Sequence, residues 1–241
     1  YINQKGKEVT PLKYDLALPF LNGLGAVISN RKLGFVNQEG QEITSLKYDF
    51  DFSTIPHFNG LVAVKLNGNW GLINKKGQEV TPLMYNSVKL FSDDLIIVEL
   101  NGKLGIIDFK GQEVTPLKYD SILPFSEGLA CVQSHNRWGF INKEGQEVIP
   151  LIYSSADPFS DGLAAVFSNG GTVFIDKEGK EVLLCRKSSF IRSFSYGLAE
   201  MRRYPPRLNG FYRDYIINKQ LGIVIYPPEM KGEVDLVEKI D

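Results

Sequence analysis

"NGNWGLINKKGQEVTP", Asn67 to Pro82, returns as "NGKLGIIDFKGQEVTP", Asn101 to Pro116, and as "HNRWGFINKEGQEVIP", His135 to Pro150. Nothing in it resembles a catalytic centre. It is made of turn residues and short apolar runs, and the information lies in its recurrence. The turn glycine stands at Gly6, Gly40, Gly77, Gly111, Gly145 and Gly179, with spacings of 34, 37, 34, 34 and 34. A tyrosine follows eight residues later at Tyr14, Tyr48, Tyr85, Tyr119 and Tyr153. A Gly-Leu or Asp-Leu pair then begins at Gly23, Gly60, Asp94, Gly128, Gly162 and Gly197. Landmarks in fixed order at such a period define a solenoid, a propeller or another array.

Each unit reads as β structure. In the fourth, "GLACVQ" is a short strand, "SHNR" a turn and "WGFIN" a second strand. Asn67-Gly68 and Asn101-Gly102 occupy the first turn elsewhere, and Asn-Gly suits the positive φ of a tight hairpin. "NKEG" is the next turn, and "QEVIP" is a third strand that Pro150 is expected to close. "YDSILPFSEG" links to the next unit with room for a short fourth strand. Helical periodicity is absent throughout. Phe20, Phe58, Phe91, Phe125, Phe159 and Phe194 recur before the Gly-Leu landmark, and one unit alone cannot bury them. Neighbouring units must stack and share them.

The last unit is degenerate: "DYIINKQLGIVIYPP", from Asp214, matches "GFINKEGQEVIPL", from Gly139, only with slippage. Tyr1 opens inside a unit, since "YIN" matches the "FIN" at Phe140, so residues preceding Tyr1 are expected. The expected fold is an all-β array of about seven 34-residue meander units. A closed seven-bladed β-propeller is preferred, with an open β-solenoid of hairpins as the alternative. One domain is expected over residues 1–241: well-matched repeats to 200, a degenerate repeat over 201–228, and a closing strand or tail over 229–241. In that reading "GEVDLVEKI", Gly232 to Ile240, pairs into the first unit.

Composition limits the function. Apolar residues at 43% and charged residues at 23% fit an ordinary globular protein with a packed core. A net charge of -1 gives no electrostatic reason to expect nucleic acid as partner. No apolar run reaches bilayer-spanning length, so no transmembrane segment is expected. Cys131 and Cys185 occupy different repeat positions and read as two small buried thiols, not a disulfide framework.

The units carrying "WGFINKEGQEVIP", "YDSILPFSEGLA", Trp70-Gly71 and Trp138-Gly139 are similar to bacterial WG repeats, also called KWG repeats. The resemblance covers residues 1 to 200 well and 201 to 228 poorly. Leu33 and Leu104 replace the tryptophan, and Thr172-Val173 replaces the Trp-Gly pair in the fifth unit. The resemblance implies a bacterial β-repeat and brings no catalytic residues.

No chemistry emerges from the motifs. His57 and His135 are the only histidines and sit in unrelated positions, so no metal and no cofactor are expected. Glu79, Glu113 and Glu147 recur with the repeat, which points to a solvated strand edge or a structural hydrogen bond. A single active site would break the symmetry, so the informative places are where the repeat fails. One is "FDFSTIPHF", Phe50 to Phe58, which carries three extra residues. The other runs from Cys185 to Tyr215, where Arg and Tyr accumulate and the first hairpin turn is expanded. Arg202, Arg203, Tyr204, Arg207, Phe211, Tyr212 and Arg213 are the candidate partner-binding residues, being of the types enriched at interfaces. The expected function is a non-catalytic binding module presenting loops to a protein or glycan partner, within a larger complex. The alternative is a structural scaffold of a bacterial cell-surface or secreted assembly. An enzyme is the least favoured reading, and the cell surface or periplasm is favoured over the cytoplasm.

Overall fold

A computed structural model describes residues 1, 8–10, 13–50, 56–168, 170–185, 190–191, 196–203, 213–218, 223–225 and 237–239. These residues form strands and turns without a helix, grouped into six sheets. The chain divides into two compact units, Tyr1–Leu117 and Lys118–Asp241.

The first unit holds three sheets. Strands β1 (Leu16–Ala17), β2 (Gly25–Ser29), β3 (Lys32–Val36) and β4 (Glu42–Asp49) form an antiparallel meander. Strands β5 (His57–Phe58), β6 (Leu61–Leu66) and β7 (Asn69–Asn74) form the second, with the third-strand segment reduced to bridges Trp70↔Tyr85 and Ile73↔Glu79. Strands β8 (Ser87–Leu90), β9 (Leu95–Leu100), β10 (Lys103–Asp108) and β11 (Glu113–Tyr119) form the third. The second unit repeats the plan with β12 (Ser121–Ile122), β13 (Ala130–Ser134), β14 (Arg137–Ile141) and β15 (Glu147–Tyr153). Next come β16 (Ser155–Ala156), β17 (Ala164–Ser168), β18 (Gly171–Ile175) and β19 (Glu181–Cys185). The last sheet contains β20 (Phe190–Ile191), β21 (Leu198–Arg203), β22 (Arg213–Asn218) and β23 (Ile223–Ile225). Gly6, the first of the period glycines, lies outside the described residues.

The turns form as their residues demand. At the first hairpin, His135 and Asn136 take φ of 50° and 59°, and Asn101-Gly102 takes 52° and 74°. Both central residues are left-handed, the geometry whose twist matches the flanking strands. At the second turn, Asp108 Oδ1 accepts hydrogen bonds from the Lys110 and Gln112 amides, at 2.8 Å each. Gly111 follows at φ 78° and also lies against the preceding repeat, since a Cβ there would meet the Val80 carbonyl oxygen at 2.4 Å. That position therefore needs glycine twice over, for conformation and for space.

The short fourth strand exists, as β1, β8, β12 and β16. The third strand does not end at its proline. β15 continues three residues past Pro150, on the edge of its sheet. Phe140 faces Ile149 while Trp138 faces Tyr153, so the two-residue step along β14 is met by a four-residue step along β15. Pro150 sits in that bulge, where a missing N–H disturbs no regular ladder.

Adjacent repeats share their cores, as one unit's inability to bury its aromatics requires. Phe35 and Tyr48 of the first sheet pack with Val62, Val64 and Ile73 of the second. Phe58, Leu72 and Tyr85 of the second pack with Ile96, Val98 and Ile107 of the third. Cys131, Phe140 and Tyr153 of the fourth sheet join Phe159, Val166 and Val173 of the fifth.

The tail departs from expectation. Strand β24 (Val237–Lys239) pairs antiparallel with β19, so these residues extend the fifth sheet instead of entering the first repeat.

Candidate functional site

Most repeated polar side chains are occupied in holding the array together. Thr44, Thr81 and Thr115 are buried, and each hydroxyl accepts the amide of the residue after the Gly of the Trp-Gly position. The distances are 3.0 Å from Phe35, 2.9 Å from Leu72 and 2.9 Å from Ile106. Asp15, Asp49 and Asp120 each accept an amide of the first hairpin turn, from Asn30 at 2.7 Å, Gly68 at 3.1 Å and His135 at 2.8 Å. The Asp49 carboxyl lies below its ordinary pKa because Lys32, and then the Gly68 amide, hydrogen-bond its charged form.

The recurring glutamates bridge repeats. Glu147 Oε1 accepts the Lys118 ammonium at 2.6 Å and the Tyr119 hydroxyl at 3.1 Å. Glu42 takes Lys13 and Tyr14 in the same way, and Lys47 reaches Glu79 at 3.7 Å. The Glu42 carboxyl is held below its usual pKa by the hydrogen bonds from Lys13 and Tyr14. Burial raises the Tyr119 phenol, and the Glu147 charge beside it adds to that. A carboxylate committed to a lysine and a tyrosine of the preceding repeat is a structural strut, as the recurrence of Glu79, Glu113 and Glu147 had suggested for this class.

The inserted stretch behaves differently. Phe50 packs against the first shared core and Phe58 is buried, while residues 51–55 lie outside the described residues. Among the described residues, the buried side-chain polar atoms without a hydrogen-bond partner are the Tyr48 hydroxyl and His57 Nδ1. Both flank this insertion. Tyr14 and Tyr119 find their glutamates 28 residues onward. Between Tyr48 and Glu79 the extra residues lengthen that interval, and Glu79 is reached by Lys47 at 3.7 Å. Burial lowers the His57 pKa.

The second failure of the repeat lies at the hairpin of β21 and β22. The register runs Leu198↔Asn218 through Arg202↔Asp214 to Arg203↔Arg213. Equivalent hairpins turn in two residues, as between Ser134 and Arg137; here residues 204–212 intervene. Arg202, Arg203 and Arg213 are thus placed at the open end of one hairpin. Tyr204, Arg207, Phe211 and Tyr212 fall outside the described residues. Among the described residues, no group of three or more His, Cys, Asp or Glu side chains could hold a metal ion. No helix among them is long and apolar enough to cross a membrane.

The repeated antiparallel meanders, cemented through a Trp-Gly position and the strand beyond it, define a β-repeat protein. The family model of the WG containing repeat matches residues 1–32, 34–70, 70–103, 105–138, 138–171 and 174–203, and the chain belongs to that family. Comparison with curated proteins gave no match. Among solved structures, the chain is similar to BamB from Moraxella catarrhalis at 10% identity and a TM-score of 0.39, covering 85% of this chain and 72% of that one. It is also similar to Hsv2p of Kluyveromyces lactis at 13% identity and a TM-score of 0.38, covering 92% and 82%. A eukaryotic initiation factor matches at 12% identity and a TM-score of 0.48, covering 93% of this chain and 65% of that one.

Proposed function

We propose that this chain is a non-catalytic binding module that presents a loop to a protein or glycan partner. The observation that carries the reading is the hairpin closed by Arg203↔Arg213, whose connection runs to residues 204–212 where its counterparts use two. A tight turn needs no such length, so the added chain serves something other than the fold. Arg and Tyr in and beside it suit the desolvated anchors of an interface, and the guanidinium forks onto carboxylates or sulfated and acidic sugars. The repeated carboxylates and hydroxyls are engaged within and between repeats, which supports an array that displays loops and carries no reaction.

The test is affinity capture from the native organism, together with a glycan array. It compares the wild-type chain with Arg202→Ala/Arg203→Ala/Arg207→Ala. Loss of a specific ligand in the variant is the expected result. Equal capture by both, or capture by neither, removes the loop from the proposal and leaves the scaffold reading.

A further inference from the structure

The fifth repeat departs from its siblings at two positions that face each other. Val173 stands where the four preceding repeats have Gly34, Gly71, Gly105 and Gly139, and Leu184 stands where three of them carry Pro82, Pro116 or Pro150. They are register partners across β18 and β19.

The pairing explains the double change. In the fourth repeat, a Cβ on Gly139 would lie 2.6 Å from the Ile149 carbonyl oxygen and 2.8 Å from Pro150 backbone atoms. The bulge of β15 rests on a glycine and admits nothing larger. Val173 is buried at that place, so its side chain occupies the space the bulge would need. β19 accordingly runs straight over Leu183–Cys185, with Thr172↔Cys185, Val173↔Leu184 and Phe174↔Leu183 in unbroken succession, and keeps only the earlier register shift between Phe174 and Ile175.

A straight strand presents a regular edge. The β17–β18 hairpin closes on Ser168↔Gly171 with two residues between, which makes that pair and every second pair beyond it hydrogen-bonded. Val173 therefore directs its N–H and C=O to Val166, and Thr172 and Phe174 direct theirs to β19. By the same alternation, Cys185 and Leu183 bond back to β18, and Leu184 directs its N–H and C=O outward. Leu184 pairs there with Glu238 of β24. The second, third and fourth repeats carry at this edge a proline that lacks the N–H, and the first and fourth sheets carry a bulge there, two known guards against strand addition. The fifth repeat has neither guard at Leu184, its remaining register shift lying nearer the start of β19.

We propose that the outer edge of β19 is a strand-accepting site for an extended segment of another protein, and that Val237–Lys239 holds it in cis as an exchangeable occupant. The partner is an antiparallel strand with a free amide opposite Leu184 and a sequence like the tail's own, apolar then acidic then basic. This is β-augmentation, in which main-chain bonds supply the affinity. Residues 226–236 tether the tail to β23, so the tail competes at an effective concentration of about millimolar. The site is separate from the Arg203↔Arg213 hairpin and does not depend on it.

The experiment uses the full chain and a fluorescein-labelled peptide of residues 233–241, read by fluorescence anisotropy. Glu238→Pro removes the tail amide that pairs with Leu184 and is expected to bind the peptide at least about tenfold more tightly than wild type. Adding Leu184→Pro is expected to abolish that binding, with circular dichroism melting to verify the fold. A peptide N-methylated at the Glu238 amide tests the same bond without altering the acceptor, and is expected not to bind. Equal peptide affinity in wild type and Glu238→Pro, no binding by either, or undiminished binding of the methylated peptide overturns the proposal.

Discussion

Gly139 lies beneath the carbonyl group of Ile149, so close that a Cβ on residue 139 would stand 2.6 Å from that oxygen. The Gly of Trp-Gly is thus required by the next strand and not by its own φ. Gly139→Ala is expected to lower stability by about 1–3 kcal/mol, the usual range for overpacking. Gly68→Ala provides the contrast, because Gly68 has φ +85° and nothing within 4 Å of an added Cβ. Its expected loss is about 1–2 kcal/mol from the left-handed backbone alone. Urea unfolding checks both, and because the atoms facing residue 139 are backbone, shortening the side chains of Pro150 or Leu151 is expected to relieve neither substitution.

Thr115 makes a second prediction at the same joint. Its hydroxyl is buried and accepts the Ile106 amide at 2.9 Å. Thr115→Val keeps the shape and strands that N–H, so a loss of about 1–3 kcal/mol is expected. Thr115→Ser keeps the acceptor and is expected to lose less. Equilibrium unfolding midpoints at constant m-value decide between them.

The parts of this architecture that depend on neighbouring residues were legible in the sequence. Asn101-Gly102 and the Asp108 turn follow from local conformational preference, and the period itself marks the shared cores. What was not legible depends on a second strand. Pro150 reads as a strand terminator until Gly139 is seen to make room for the bulge around it. Glu147 reads as structural, but its partners Lys118 and Tyr119 belong to the repeat before. The tail has strand-like alternation, yet its place beside β19 depends on a strand far from it in the chain. Of the candidate binding residues, Arg202, Arg203 and Arg213 fall together at one hairpin end, as the expanded turn implied.

His57 gives a pH prediction. Burial lowers its pKa from the ordinary 6.5, so the unfolded chain takes up the proton first as pH falls. Stability therefore declines below about pH 6.5 until the folded-state pKa is passed. His57→Gln removes the titration and is expected to flatten this decline. A wild-type slope unchanged by the substitution, in melts taken from pH 7.5 to pH 5, would refute it.

Cys131 is expected to resist thiol reagents. It is fully buried within the core shared by the fourth and fifth sheets, and burial pushes its thiol up to about 12. Reaction needs a thiolate and access, and both are withheld. In a Cys185→Ser chain, labelling should be absent under native conditions and reach one equivalent in denaturant. Rapid native labelling would show that the core opens locally.

The strut between Lys118, Tyr119 and Glu147 contains one dispensable member and one useful one. The Lys118–Glu147 ion pair is exposed, and exposed pairs contribute about 0–1 kcal/mol. The chain itself carries Met84 and Ile152 at the equivalent lysine position. Lys118→Met is therefore expected to change stability by no more than about 0.5 kcal/mol. Glu147→Ala also removes the acceptor of the Tyr119 hydroxyl, on a ring that is buried. Its expected cost is about 1 kcal/mol. In a Tyr119→Phe background that cost should largely disappear, because no hydroxyl is left unpartnered. A double-mutant cycle on Tyr119 and Glu147 measures the coupling, and a value indistinguishable from zero would assign the inter-repeat cohesion to the apolar core alone.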